Sequence, residues 1–221
     1  MIKIQPIVRE IVLGEIEAYF ALTHGYMNMS SYAHRILPLV EERTKKQVTI
    51  TSLVVSLSRL RKEFKKEKPL IQDVTINNIT TKLPLSEIVY ENTEASLLKL
   101  ESLHKKISIT KEDFFTATIG TSEINIISSS GLENNVTKHF GVRPKIINNN
   151  LAAISISFGS GYSNIPNTFF SLISITARWR INIEELISTF TELTFIVAEK
   201  DFGKTVALFS ELHRKTNKKE I

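Results

Sequence analysis

A repeat constrains the fold of this chain more than any other feature. A shift of 69 positions sets Ser122-Glu123-Ile124 on Thr191-Glu192-Leu193, Leu103 on Leu172 and Phe140 on Phe209. A shared apolar frame at one fixed spacing marks two diverged copies of a single module. The later copy is the clearer one. Residues 151–158 are β-branched and apolar without a helical stripe, and Gly159-Ser160-Gly161 ends them in a turn. Pro166 suits the first turn of a helix that starts at 165–167, with Phe169, Leu172, Ile173 and Thr176 on its buried face. Strands at 181–188 and 193–198 follow, then a helix capped by Asp201 that buries Val206, Phe209 and Leu212.

The earlier copy has the same order, with strands at 71–79 and 83–90 and a helix at 94–107. Strands at 114–119 and 124–128 and a helix at 132–140 complete it. After His213 the sequence RKTNKKEI is polar, so the later copy's final strand has to be supplied by the other copy. The expectation is an α+β fold with two antiparallel βαββαβ units. A charged, proline-ended segment, KKEKP at 65–69, separates them from what precedes. Three parts result: 1–68, 69–150 and 151–221.

Residues 1–68 read as three helices. The first, 7–23, buries Val8, Ile11, Val12, Ile16 and Phe20 and closes at Gly25. A second opens at Ser30 or Ser31, buries Ala33, Ile36, Leu37 and Val40, and is kinked or split by Pro38. The third opens near Thr49 or Thr51 and buries Leu53, Leu57, Leu60 and Phe64, with Ser52, Ser56, Arg59, Lys62 and Lys66 on another side. Charge follows this division: residues 1–68 hold 12 Lys and Arg against 7 Asp and Glu, and the remainder holds 16 of each. A basic third helix suggests a helix-turn-helix or winged-helix module, for which those five residues are the nucleic-acid candidates. The opposing reading is a solvated helix whose basic end complements its own dipole.

Several classes are excluded by composition. With no cysteine the chain can form neither disulfides nor thiolate sites. No apolar run approaches the roughly 20 residues of a spanning helix, and the start lacks a signal peptide's apolar region, so no membrane contact and a cytoplasmic location are expected. His24, His34, His104, His139 and His213 are scattered, and Glu184 and Glu185 diverge on a strand, so neither a metal site nor an acid–base pair is expected. GSGYSN at 159–164 lacks the third glycine of a nucleotide fingerprint. No enzymatic activity and no cofactor are expected.

The helix start at 165–167 offers free N–H groups and a positive dipole end to a carboxylate. Glu192, Glu123 or the side-chain oxygen of Asn182 would then accept from an ammonium group, and an apolar edge at Ile183 would pair with a second subunit. A capped helix without a ligand is the alternative.

The segments NIP at 164–166, RINIEEL at 180–186 and STFTELTFIVAEKD at 188–201 resemble the ACT domain, and more narrowly the regulatory ACT domains of aspartate kinases. The resemblance covers residues 70–221 and implies tandem ferredoxin-like units that bind a small amino acid between paired subunits at the first β-to-α loop. It places Ser163, Asn164, Ile165, Pro166 and Asn167 in that loop, with Asn182 and Ile183 beside it. The pairs Thr191-Glu192 and Ser122-Glu123 resemble the family's TSE element near the effector, though a strand-connecting turn also uses such residues. Lysine and threonine are the effectors implied. The family usually carries Gly where this chain has Asn167. Residues 1–68 are too short for a kinase domain and hold no glycine-rich loop. GYMNMSSYAHRI and TSLVVSLSRLRKE look like the N-terminal region that accompanies ACT-like domains in small prokaryotic proteins. The chain therefore reads as a non-catalytic, homodimeric amino-acid sensor, either a transcription regulator that contacts DNA or a free-standing regulatory subunit of a biosynthetic enzyme.

Overall fold

The computed structural model describes residues 3–67, 69, 74–103 and 105–217. It divides into two compact units, Met1–Leu70 and Ile71–Ile221.

Among its described residues the first unit is helical throughout, with α1 (Ile4–Gly14), α2 (Ile16–His24), α3 (Met29–Thr44) and α4 (Ile50–Phe64). The single helix expected at 7–23 is two. It breaks at Glu15, which is extended at φ −124° and ψ 99°. Gly14 weakens the helix there, and the Glu15 carboxylate turns to α3, accepting from the Tyr32 hydroxyl at 3.1 Å and pairing with Arg35. Gly25 closes α2 in the left-handed region at φ 85°, where a Cβ would meet the Arg61 guanidinium. Helix α3 opens at Met29, because the Asn28 side chain caps it by accepting from the Ser31 amide at 3.0 Å. Pro38 neither splits nor ends it. Both Pro38 and His34 are exposed, so the carbonyl that loses its donor faces water. Thr49 caps α4, and Leu53, Leu57, Leu60 and Phe64 enter the core with Val8, Val12, Leu22 and Val40. No strand forms among the described residues of this unit, so the winged variant of the expected module is absent from them.

The second unit is one six-stranded antiparallel sheet with helices packed on it. Its elements are β1 (Ile76–Glu91), α5 (Glu94–Leu103), β2 (Phe115–Ile119), β3 (Glu123–Ser129), α6 (Glu133–Phe140), β4 (Ile146–Phe158), α7 (Thr168–Arg178), β5 (Glu185–Ser188), β6 (Glu192–Ala198) and α8 (Glu199–Asn217). The sheet order is β2-β3-β1-β4-β6-β5. The repeat is visible atom by atom. The Gly120 amide donates to the Glu123 carbonyl at 2.8 Å, as Thr189 does to Glu192 at 2.9 Å. Likewise the Asn92 amide donates to Ser122 at 3.0 Å, and Phe158 to Thr191 at 2.9 Å.

Both central strands serve both copies. The strands expected at 71–79 and 83–90 are one continuous β1, apart from 71–73, which lie outside the described residues. The early part of β1 pairs with late β4, Thr80 opposite Ser155, while its late part pairs with β3, Ile88 opposite Ile126. Early β4 returns alongside late β1, Ile147 opposite Ile88. Each copy thus takes its fourth strand from the first strand of the other, which supplies the strand missing after His213. Two cores result. Ile88, Tyr90, Leu103, Ile126 and Phe140 fill one, with the Tyr90 and Phe140 rings stacked at 4.0 Å. Ile154, Leu172, Phe195, Val197 and Phe209 fill the other.

Several local expectations change. Helix α7 starts at Thr168, not at 165–167, and Phe169 is 42% exposed, while Thr168, Ser171, Leu172 and Thr176 face inward. Strand β5 begins at Glu185, because Arg180 at φ 52° turns the chain and the Ile181 amide bonds back to the Thr176 carbonyl at 3.2 Å. Asp201 caps nothing: α8 follows β6 directly at Glu199 and already includes it.

The sheet curls on its other face. The Asn125 amide of β3 donates to Glu87 of β1 at 2.8 Å and also to Glu185 of β5, at the far end of the strand order. Burial first and the Glu87 charge second hold the Glu185 carboxyl above its ordinary value. A raised carboxyl contributes stability at low pH that is lost as pH rises through its folded value. Glu185→Gln is expected to raise the melting temperature at neutral pH and to flatten its pH dependence in the window above the ordinary Glu range. A melting profile identical to wild type would show that the pair carries no such load.

Candidate effector site

Each copy has a corner where its first strand turns into its first helix, and each corner opens a cleft. In the later copy, a short 3-10 turn (Ser160–Asn164) follows β4, and Ile165 and Pro166 lead to Asn167. Asn167 adopts φ 68°, the left-handed conformation that glycine takes freely and that asparagine tolerates better than most residues. The loop therefore keeps a glycine-like backbone at this position. The Tyr162 hydroxyl accepts from the Thr75 amide at 2.8 Å, and the Thr168 hydroxyl donates to the Ile165 carbonyl at 2.9 Å, which fixes the loop. A cleft of about 470 Å³ lies against it, lined by Phe158, Tyr162, Ile165, Asn167, Phe169, Phe190 and their neighbours. No charged side chain lines it.

The residues expected to gather here do so only in part. Ile165 and Asn167 line the cleft, and Ser163 and Asn164 lie in the backbone turn beside it. Asn182 is on the surface and donates to Glu184 at 2.8 Å, while Ile183 packs against the core. Thr191 contributes its carbonyl to the strand turn, and Glu192 sits in β6 with the Thr194 hydroxyl 3.4 Å from its carboxylate. None of these four lines the cleft.

The earlier copy builds its corner differently. Thr93 caps α5 by accepting from the Ser96 amide at 3.1 Å, and the segment after Phe140 returns over the end of β1. Between them is a cleft of about 490 Å³, lined by Tyr90, Glu91, Thr93, Ser96, Lys99, Phe140, Arg143 and Lys145 among others. Ser122 lies in the strand turn, and Glu123 pairs with Lys145 at 2.5 Å, which places the charge of Glu123 one contact behind the cleft. Tyr90 is 1% exposed, and its hydroxyl is buried without a hydrogen-bond partner. Burial pushes this phenol up to about 12, so it is a permanent donor. A buried donor left unmade is costly. Lys99, Arg143 and Lys145 attract a carboxylate, and Glu91 can accept from an ammonium group. Sequence reading missed Tyr90 and Arg143; the 69-residue offset carries the predicted loop 163–167 onto 94–98 and reaches neither of them.

No protein-family model and no curated protein sequence matches the chain. Its fold is that of the ACT-type regulatory regions of aspartate kinases, which solved structures establish. The aspartate kinase of Clostridium acetobutylicum, described as an allosteric enzyme, superposes on 67% of this chain with TM-score 0.54 and 16% identity. This chain covers 37% of that protein's length. The ligand-free regulatory subunit of aspartate kinase from Thermus thermophilus matches 65% of this chain and 98% of its own, with TM-score 0.50 and 11% identity. The Thermus flavus regulatory subunit gives 62% and 98%, TM-score 0.51 and 10% identity. No helix among the described residues is long and apolar enough to cross a membrane.

Replacing Tyr90 by Phe removes the unpaired hydroxyl and keeps the ring stack. The ligand-free protein is expected to gain about 1–3 kcal/mol in urea unfolding, the range for relieving an unsatisfied buried polar group. A loss of stability would mean that the hydroxyl already has a partner.

Proposed function

We propose that this chain is a non-catalytic regulatory protein that binds a small amino acid at the corner clefts of its ACT-type copies. The observation that carries the reading is the cleft of the earlier copy, where a buried unpaired phenol, three cations and one carboxylate provide donors and an acceptor for a zwitterion. The corner at Ser163, Asn164, Ile165, Pro166 and Asn167, with Asn182, Ile183, Thr191 and Glu192 nearby, is the second site, completed by the partner in a homodimer. Ser122 and Glu123 hold the equivalent place in the first. Lysine and threonine are the first ligands to test, in a cytoplasmic protein.

The helical unit is the output. In the reading we favour it contacts DNA through Ser52, Ser56, Arg59, Lys62 and Lys66 as a helix-turn-helix, which makes the chain a transcription regulator. Its support is that Arg59 and Lys62 are exposed on α4, which opens at the capping Thr49, with Ser52 half-buried on the same helix and Lys66 exposed just past its end; Ser56 is buried. A second reading, a free-standing regulatory subunit of an amino-acid biosynthetic enzyme, is supported by the fold likeness that spans 98% of the Thermus thermophilus subunit.

Calorimetry with lysine and with threonine on wild type, Tyr90→Phe and Glu192→Gln separates the corners. Loss in Tyr90→Phe alone assigns the earlier cleft. A loss of about 1–3 kcal/mol for lysine in Glu192→Gln assigns the later one. Absence of heat with any of the twenty amino acids would sink the proposal.

A further inference from the structure

The first unit contains a cleft with a different chemistry. It measures about 690 Å³ and lies between the start of α1 and the first half of α4. Lys3, Lys46 and Arg59 line it, and among the described residues no carboxylate does. Helices α1 and α4 both begin at it, through Ile4 and Gln5 on one side and Thr49, Thr51 and Ser52 on the other. Neither has an acidic residue in its first turn, a trait shared with α3 and α7. Two positive dipole ends therefore add to three cations. The nearest acids stand just outside the lining: Glu63 accepts from Gln5 at 2.7 Å and Glu41 from the Val48 amide at 2.8 Å, while Glu67 pairs with Arg9 at 2.8 Å.

The second observation is Ser56. It lines the cleft, is 6% exposed, and its hydroxyl is buried with no hydrogen-bond partner. A hydroxyl kept unsatisfied at the base of a cationic cleft is a donor awaiting an acceptor.

We infer that this cleft is a phosphate-binding site, with Lys3, Lys46 and Arg59 supplying charge, the two helix starts supplying N–H groups and Ser56 donating from the floor. An amino acid fits poorly, since no lining carboxylate receives its ammonium group. Three cations and two helix ends suit a group carrying one to two negative charges on several oxygens. The inference deepens the DNA reading and also adds Lys3 and Lys46, which sequence reasoning did not single out. The same chemistry admits two sources, a phosphodiester of duplex DNA or a free phosphate.

The test uses the full chain. Labelled duplex DNA is titrated by fluorescence anisotropy across a salt series, and inorganic phosphate is titrated by thermal shift. Wild type, Ser56→Ala, the pair Lys46→Gln with Arg59→Gln, and Lys200→Gln in α8 as a charge control are compared. The site predicts about tenfold weaker binding in Ser56→Ala and more in the pair, with the logarithmic salt slope for DNA shallower by about two in the pair, and no change in Lys200→Gln. Binding of phosphate without DNA, lost in the same variants, supports the site while removing the transcription-regulator reading. Binding unchanged by the cleft variants, or binding of neither ligand at low salt, overturns the inference.

Discussion

The antiparallel pairing of β1 with β4 is the interaction on which the second unit depends. Both strands are long because each belongs to two copies, and register shifts between Lys82 and Leu85 and between Leu85 and Glu87 bend β1 where it passes from one copy to the other. Side chains on the helix side of β1 therefore enter different cores, Ile76 one and Ile88 the other. On the opposite face Leu85, Leu151, Ala153 and Ile196 close the junction itself. Neither copy could complete its own sheet alone, since each lacks a fourth strand that the other provides.

This exchange leaves both corners fixed relative to one sheet while their chemistry diverges. The later corner is aromatic and uncharged, and the earlier is cationic with a buried phenol. The strand turns beside them keep one backbone hydrogen bond at the 69-residue offset, Gly120 to Glu123 and Thr189 to Glu192. A shared frame with exchanged lining is how one module, duplicated, presents two corners of different chemistry.

Much of the frame was legible in the sequence because it is local and apolar. The 69-residue offset aligned Phe140 with Phe209, both buried, and the strands expected from 124 and 193 begin one residue earlier, at Glu123 and Glu192. What escaped depended on distant partners. Helix α1 ends where Glu15 leaves to meet Tyr32 and Arg35, and no pattern within residues 7–23 reveals that. Pro38 survives inside α3 because its orphaned carbonyl faces water, a matter of burial that its neighbours in sequence do not encode. Asn167 was visible as a departure from Gly, but its left-handed backbone was not. Of the candidate site, the later loop was legible from its turn residues, while Tyr90 was only the end of an expected strand; the tertiary structure alone shows its hydroxyl without a partner. The cleft at Ser56 was half legible, since the stripe on α4 was in the sequence and the start of α1 beside it was not.

Through their shared strands the two copies form one cooperative body. Native-state hydrogen exchange read by mass spectrometry tests it directly. The early half of β1, its late half, β3 and β6 are predicted to share one opening free energy, equal to that of unfolding the whole second unit. Opening free energies for β3 and β6 that differ by more than about 1 kcal/mol would show two modules that unfold separately and would contradict the account.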